Sequence, residues 1–415
     1  MTLPPPTKAC FESPACSAAQ DATRSLLDRC IVRGERWIFS AGFNVASGMR
    51  DLSRIDAEVA DIARLANAGA RVSVLSHQGR HKDGSAQHLG DVATYLGGRL
   101  GREVLYVPEN TTESAVDRSR ALAPGGVALF GNTRHHPGEE SNDPALAALF
   151  ARLGDAVAVG GFSKAHREHA SNTGLLKCLP GWAAHSLLVE LERLSPWSGA
   201  DRAVPSLAVL GGVKPEKTLV GLRSLSQTYD VVVPAGAVLN HVLRAQGHHV
   251  GESELGEEPE RCTEASLKIL GSATARTHVP SRVIIARRSG DSFADPREIR
   301  IAEGVPSGFA IVDFFLEGWL QDVMREFAGI GCRAVIAGTP SLFLQGFGHA
   351  STQLLDWASA PRVKAILLGG DTVSELPFAG PTSTGGGSAL CYLGEADLPV
   401  LRALRENAAA PWTET

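Results

Sequence analysis

The residues with the most chemical potential sit in short stretches that follow apolar, strand-like runs. In the first half these are Asn44 with Arg54 a few residues on, then Ser76-His77-Gln78-Gly79-Arg80, then Gly131-Asn132-Thr133-Arg134-His135-His136, then Ala165-His166-Arg167-Glu168-His169. Each stretch supplies one arginine: Arg54, Arg80, Arg134 and Arg167. One such residue alone reads as a solvated surface group. Four at equivalent places in successive units argue for a cationic basin that takes a small polyanion through planar, bidentate contacts.

The second half carries glycine-rich turns. Leu210-Gly211-Gly212-Val213-Lys214-Pro215-Glu216-Lys217 closes a strand and opens a helix, so its backbone N–H groups, Gly212 among them, and its lysines suit nucleotide phosphates. It lacks the spacing of a Walker A loop. Leu368-Gly369-Gly370-Asp371-Thr372 occupies a similar junction, with Asp371 placed for Mg²⁺ and Thr372 for a phosphate oxygen. Ser383-Thr384-Gly385-Gly386-Gly387-Ser388 is a third turn that lets backbone approach an anion. Each alone reads as a tight turn; together they favour a nucleotide site.

An anion-binding half opposite a nucleotide half points to phosphoryl transfer. If the acceptor is a carboxylate, no general base is required, because a group with pKa of about 4 is already ionised at neutral pH. The remaining work is electrostatic, and arginine and lysine do it. No nucleophilic triad or reactive-cysteine motif competes.

These stretches need a scaffold that presents strand ends side by side. The pattern predicts strands over 37–43, 71–76, 103–107, 126–130 and 156–159, alternating with helices over 55–68, 88–100 and 144–153. A helical window over 181–194 ends at Ser195-Pro196 and reads as an interdomain helix. The rhythm restarts with strands over 206–210 and 230–233, helices over 219–227 and 239–246, and further strands over 282–286, 334–337 and 363–368. The expected fold is α/β, two Rossmann-like, doubly wound parallel-sheet domains around a middle helix, with ligands at the carboxyl ends of strands. Residues 1–30 read as an extension with a short helix near 22–30.

Composition fits that picture. The 415 residues carry 40 Lys+Arg against 45 Asp+Glu, a formal charge of −5, which excludes a basic nucleic-acid footprint as the main business. With 44% hydrophobic residues the chain can build a core in each domain. No apolar run approaches the roughly 20 residues of a membrane span, and no signal-like start is visible. A soluble cytoplasmic protein without membrane or nucleic-acid partners, and a monomer, is expected. The seven cysteines, Cys10, Cys16, Cys30, Cys178, Cys262, Cys332 and Cys391, lack a CxxC pair and read as free thiols. Gly329-Ile330-Gly331-Cys332-Arg333-Ala334 matches a dinucleotide fingerprint by letter, but it leads from a helix into a strand, the reverse of what that motif requires. The doublets His135-His136 and His248-His249, like His166 and His169, have no metal-ligand spacing around them.

In order along the chain, Phe43-Asn44-Val45, Ser53-Arg54-Ile55, Ser76-His77-Gln78-Gly79-Arg80, Asn132-Thr133-Arg134-His135-His136-Pro137, Ala165-His166-Arg167-Glu168-His169-Ala170-Ser171, Gly211-Gly212-Val213-Lys214, Gly369-Gly370-Asp371-Thr372 and Ser383-Thr384-Gly385-Gly386-Gly387 resemble the phosphoglycerate kinase family. The resemblance runs from about Arg36 to the C-terminus. It implies an N-terminal domain for the phosphorylated acid, a C-terminal domain for Mg-ATP, hinge closure, and a C-terminal segment returning to the N-terminal domain. The implied boundaries are 1–30, 31–185, 186–200 for the hinge helix, 201–395 and 396–415. By resemblance, Arg80, Arg134 and Arg167 with His77 and His169 hold the acid's remote phosphate, and Asn44 belongs to the acid site. Arg54 lies by the reacting carboxylate and Lys214 on the transferring phosphoryl group. Asp371 is the metal-linked aspartate, and Gly212, Lys217, Gln345, Gly370, Thr372, Gly385 and Gly386 serve the nucleotide. Lys217 stands three residues after Lys214, where the family's second lysine stands four after the first.

Departures from the family pattern lie on both the acid side and the nucleotide side. The family's Arg-Val-Asp-Phe-Asn reads Ser40-Ala41-Gly42-Phe43-Asn44, so the arginine and the aspartate that reads the acid's 2-hydroxyl are missing. Asn-Asp-Ala-Phe-Gly-Thr reads Val159-Gly160-Gly161-Phe162-Ser163-Lys164, adding a cation. On the nucleotide side, Trp-Asn-Gly-Pro reads Ala337-Gly338-Thr339-Pro340, the ribose glutamate becomes Gln345, and a triple glycine becomes Pro234-Ala235-Gly236. A diverged carboxylate kinase acting on another phosphorylated or phosphonylated acid is the expectation. Ordinary phosphoglycerate kinase activity and a non-catalytic nucleotide- or metabolite-binding homologue are the alternatives. Retention of both Arg54 and Lys214 weighs against the last.

Overall fold

The computed structural model describes residues 23–45, 49, 52–199 and 201–412. They form two compact units, one of residues 23–193 with 397–412 and one within Leu194–Ala396. In the first unit a six-stranded parallel sheet contains β1 (Arg36–Ser40), β2 (Arg71–Leu75), β3 (Val104–Val107), β4 (Val127–Phe130), β5 (Ala156–Val159) and β6 (Gly181–Ala183). The order is β3-β4-β2-β1-β5-β6. Trp37, Ile38, Phe39, Val72, Val74, Leu129 and Val157 are buried, the continuous apolar run of a sheet covered on both faces. Ser40 pairs with Leu75 and with Val159, so β1, β2 and β5 end level and release their loops side by side.

The C-terminal helix Pro399–Ala409 belongs to this unit. Asn407 fixes it: Oδ1 accepts the Gly181 N–H at 2.8 Å, and Nδ2 donates to the carbonyls of Leu176 at 2.6 Å and Leu179 at 2.8 Å.

The other unit holds a second six-stranded parallel sheet, with β7 (Ser206–Leu210), β8 (Val231–Pro234) and β9 (Arg276–Thr277) at one side. An antiparallel ribbon of β10 (Arg282–Ser289), β11 (Ser292–Arg300) and β12 (Phe309–Phe314) follows. Then β13 (Cys332–Ala337), β14 (Val363–Leu368) and β15 (Thr382–Ser383) complete the order β15-β14-β13-β7-β8-β9.

The structure corrects several local expectations. The window 181–194 is not one helix: Gly181–Ala183 is an edge strand, and the helix His185–Leu194 starts where Asp61 accepts the N–H groups of His185 and Ser186. A Cβ at 181 would lie 2.2 Å from Leu176 Cδ2, so any larger residue there would force that leucine to move. The helix expected over 55–68 is broken into Ser53–Asp56 and Val59–Asn67, with Glu58 at the break. The one expected over 219–227 begins with a π-helical turn, Lys217–Leu222, before Arg223–Thr228. Over 23–30 the 3-10 turn Leu26–Asp28 is the only helical element among the described residues; residues 1–22 of the N-terminal extension lie outside them. The segment 282–286 is not a strand of the parallel sheet but part of the antiparallel ribbon. The Gly329-Ile330-Gly331 segment is a helix end running into β13, with Gly331 at φ +97.

Candidate active site

In the first unit the loops after β4, β2, β1 and β5 are neighbours because the strands are. Asn132 ties two of them together. Its Nδ2 donates to the carbonyls of Gln78 at 2.7 Å and Gln87 at 2.8 Å, while its Oδ1 accepts from Gln78 and Arg134 N–H. Asn44 ties the β1 loop to the β2 loop: its Oδ1 accepts the Gly79 N–H at 3.2 Å, and its carbonyl accepts Arg54 Nη1 at 2.7 Å. Arg54 is thus aimed from the helix Ser53–Asp56 across the β1 loop.

Arg134 is 1% exposed, pairs with Glu140 and leaves Nε without a hydrogen-bond partner. Around it lie His77, His169, Lys164 and the half-buried Arg167. Burial, then the charges of Arg134, Lys164, His169 and Arg167, drive His77 far below the usual imidazole range. Burial, followed by Arg134, Arg167 and Lys164, pushes His169 down to about 2. His169 is therefore neutral, and its 4.0 Å approach to Glu139 is not an ion pair. Burial does most to hold these histidines neutral, and the cations that add to it make a positive field suited to an anion. Arg80 is the exception: it is exposed, and its charge acts on Asp83.

Three side chains outside the sequence-expected set complete this layer: Lys164, Glu58 and Glu139, all buried. Lys164 Nζ donates to Ser40 Oγ at 2.8 Å, and Ser40 Oγ donates to the Ser171 carbonyl at 2.5 Å. Glu139 accepts from Ser171 Oγ at 2.6 Å, Ser171 N at 3.0 Å and Thr133 Oγ1 at 3.1 Å. Glu58 Oε1 accepts the Gly42 N–H at 3.0 Å. Burial drives Glu58 up and Lys164 down, and their mutual attraction opposes both shifts. The only sequence signal was the lysine at 164 itself, in a loop that also gains two glycines.

In the second unit the glycine-rich loops follow β7, β13, β14 and β15, again neighbours in the sheet. Gly212 has φ +77, and Gly338 at φ +98 packs so closely that a Cβ there would lie 2.0 Å from the Gly211 carbonyl oxygen. Gly369 N donates to the Ser383 carbonyl at 2.9 Å, bringing the Gly370-Asp371-Thr372 and Gly385-Gly386 turns together. Lys214 Nζ meets Asp371 Oδ2 at 2.8 Å, both side chains well exposed. Lys217 is 8% exposed, and its Nζ has no hydrogen-bond partner. It lies 3.7 Å from where a Cβ on Gly369 would stand. Burial, aided by Lys214, pushes it down to about 8. Despite the shortened spacing, the π-helical turn delivers Lys217 to the same loops as Lys214. Gln345 ends the exposed 3-10 turn Phe343–Gln345.

Among the described residues no helix is long and apolar enough to cross a membrane. A model of the family described as Phosphoglycerate kinase matches residues 27–395. The phosphoglycerate kinase of Rhizorhabdus wittichii is 33% identical over 403 residues, covering 92% of this chain and 99% of its own. That of Moorella thermoacetica is 31% identical over 392 residues, covering 91% and 98%. The phosphoglycerate kinase structure from Pyrococcus horikoshii superposes with a TM-score of 0.72 at 22% identity, covering 92% of this chain and 99% of that one. That from Coxiella burnetii gives 0.68 at 24%, covering 93% and 100%; both support the fold. The chain belongs to the phosphoglycerate kinase family, phosphotransferases with a carboxyl group as acceptor.

Proposed function

We propose that this chain transfers the γ-phosphoryl group of Mg-ATP to the carboxylate of a phosphorylated or phosphonylated acid, giving an acyl phosphate, with an acid specificity altered from 3-phosphoglycerate. A carboxylate oxygen attacks the γ-phosphorus, the bond to the bridging oxygen breaks, and that electron pair leaves with ADP; no proton need move. The observation that carries the reading is that each unit by itself holds a buried, under-neutralised cationic centre, Arg134 with its neutral histidines in one and the orphaned Lys217 in the other. Each has the chemistry of a phosphate site. Arg54, fastened to the Asn44 carbonyl, orients the acid's carboxylate.

The nucleotide side fits its ligands by the same test. Lys217 Nζ lacks the acceptor that a phosphate oxygen would supply, and exposed Asp371 offers a hard oxygen donor for Mg²⁺ shared with the triphosphate. When bound, the ion neutralises phosphate charge. Lys214, Lys217, Thr372 and the turns at Gly212, Gly370, Gly385 and Gly386 hold and screen the triphosphate.

Trapping acyl phosphates with hydroxylamine in Mg-ATP, across phospho- and phosphonocarboxylates, tests this reading. Product from one such acid in preference to 3-phosphoglycerate is expected; none from any acid would end it. The identity of 31–33% to whole-length phosphoglycerate kinases favours a second reading, ordinary phosphoglycerate kinase activity, and efficient turnover of 3-phosphoglycerate on the same panel would establish that instead. In either case Arg54→Ala should lower kcat about a hundredfold with little change in the acid's KM, because an orienting charge acts mainly in the transition state. A rise in KM with kcat intact would assign Arg54 to ground-state binding.

A further inference from the structure

The first unit's chain winds from β1 to β2 on one side and from β5 to β6 on the other, so its topological switch point lies between β1 and β5. That is where an open α/β sheet places its ligand crevice. Here the floor of the crevice is filled. A Cβ at position 42 would lie 2.7 Å from Gly161 Cα, 3.2 Å from Ser163 Oγ and 3.3 Å from Glu58 Oε1. One at position 160 would lie 2.5 Å from Glu58 Oε2. The two loops thus meet glycine to glycine, and the Glu58 carboxylate takes the remaining room. Lys164 passes along Gly161, where a Cβ would be 2.9 Å from its Cε, to reach Ser40. Glu58 and Lys164 are 4% and 2% exposed.

A carboxylate and a cation therefore serve the ends of β1, where the strand's own residues, Ser40, Ala41 and Gly42, offer neither. The consequence for a ligand is specific. No side chain can project from position 42, and Glu58 Oε1 is already engaged by the Gly42 N–H. Glu58 Oε2 has no hydrogen-bond partner, but it is buried against Gly160 and is not offered to a ligand. A hydroxyl on the carbon beside the reacting carboxylate, which the resemblance puts at position 42, would lose its water there without reaching an acceptor. Glu58 also acts at a distance: it fixes Gly42, two residues before Asn44, whose carbonyl holds Arg54.

We propose that Glu58 and Lys164 are positioning residues that clamp the β1 and β5 loops and set acid specificity, so that the site takes a phospho- or phosphonocarboxylate with no hydroxyl on the carbon next to the carboxylate. This rests on the carboxylate-kinase reading above.

The test compares 3-phosphoglycerate with 3-phosphonooxypropanoate, which differs only by hydrogen in place of the 2-hydroxyl. Wild-type protein is expected to favour the latter about tenfold in kcat/KM, the discrimination typical of one unpaired polar group. Glu58→Ala and Lys164→Met should each bring that preference to within about threefold, with kcat falling more than KM rises. Glu58→Gln, which keeps an acceptor for the Gly42 N–H, should retain it. Gly42→Asp alone should not create activity on 3-phosphoglycerate, because its Cβ meets backbone. Wild-type preference for 3-phosphoglycerate, or a preference unmoved in both Glu58→Ala and Lys164→Met, overturns the proposal. Melting shifts of the wild-type protein with each acid alone give a readout independent of variant folding and of catalysis. A larger shift with the deoxy acid is expected, and an equal or larger one with 3-phosphoglycerate overturns the proposal. Absence of acyl phosphate from every acid would defeat the kinase reading, leaving the clamp to be judged by these shifts.

Discussion

Replacing Lys217 with methionine is expected to make the protein more stable and nearly inactive. Its ammonium is buried, has no hydrogen-bond partner and is pushed down to about 8 from an ordinary 10.5. That displacement means the folded state tolerates the charge poorly, at a cost of roughly 3 kcal/mol when the group is protonated. Methionine keeps the apolar stem and removes the charge, so the melting temperature at pH 7 should rise. The pH dependence has a definite sign. The folded protein releases this proton near 8, whereas the unfolded chain holds it until about 10.5, so the unfolded state binds more protons across that window. Wild-type stability should therefore gain on that of Lys217→Met as pH rises from 8 to 10.5, and the gap should be constant below 8. Activity should move oppositely, with kcat/KM falling about a thousandfold, because a preorganised cation in a dry site is worth most against a phosphate. Thermal melts of both proteins at several pH values check the first part. A melting temperature that falls on substitution would mean Lys217 is paired and structural.

Such a trade of stability for charge was only partly legible in the sequence. The strand-end stretches were, because parallel strands are short apolar runs and the polar residues after them are forced to one edge of the sheet. Arg134, His77, His169, Asn44 and Arg54 could be found in that way. Arg80 could not be told from them by position, yet it is exposed on its loop. The antiparallel ribbon escaped because β11 is exposed along most of its length, contains Pro296 and has Asp295 at φ +52, all of which read as loop. The edge strand Gly181–Ala183 was hidden by apolar residues whose spacing continues into the following helix.

Glu58, and the contacts made by Lys164 though not the lysine itself, were hidden for a different reason. Glu58 looked like the solvated face of a helix, and only the break at 57–58 turns it inward. Lys164 meets Ser40 across 124 residues of chain. Substitution at one end of such a contact is readable in a sequence; its compensation elsewhere is a matter of packing.

Lys214→Ala should lose as much activity as Lys217→Met but without its gain in stability: about a thousandfold loss of kcat with no measurable change in melting temperature. Its bond to Asp371 is short, 2.8 Å, but the two side chains are 67% and 75% exposed. Exposed pairs contribute little to stability, since water solvates both partners nearly as well apart. The ammonium is therefore free to exchange Asp371 for a phosphoryl oxygen at little cost, which is what a group that follows charge through a transfer must do. Asp371→Asn separates the two halves of the pair. If Lys214 mattered only as the partner of Asp371, the two variants would behave alike. If Lys214 screens the moving phosphoryl group and Asp371 draws in Mg²⁺, raising the Mg²⁺ concentration should restore much of the activity of Asp371→Asn and none of that of Lys214→Ala. Equal rescue of both, or of neither, would remove the distinction between a transfer residue and a metal-linked one.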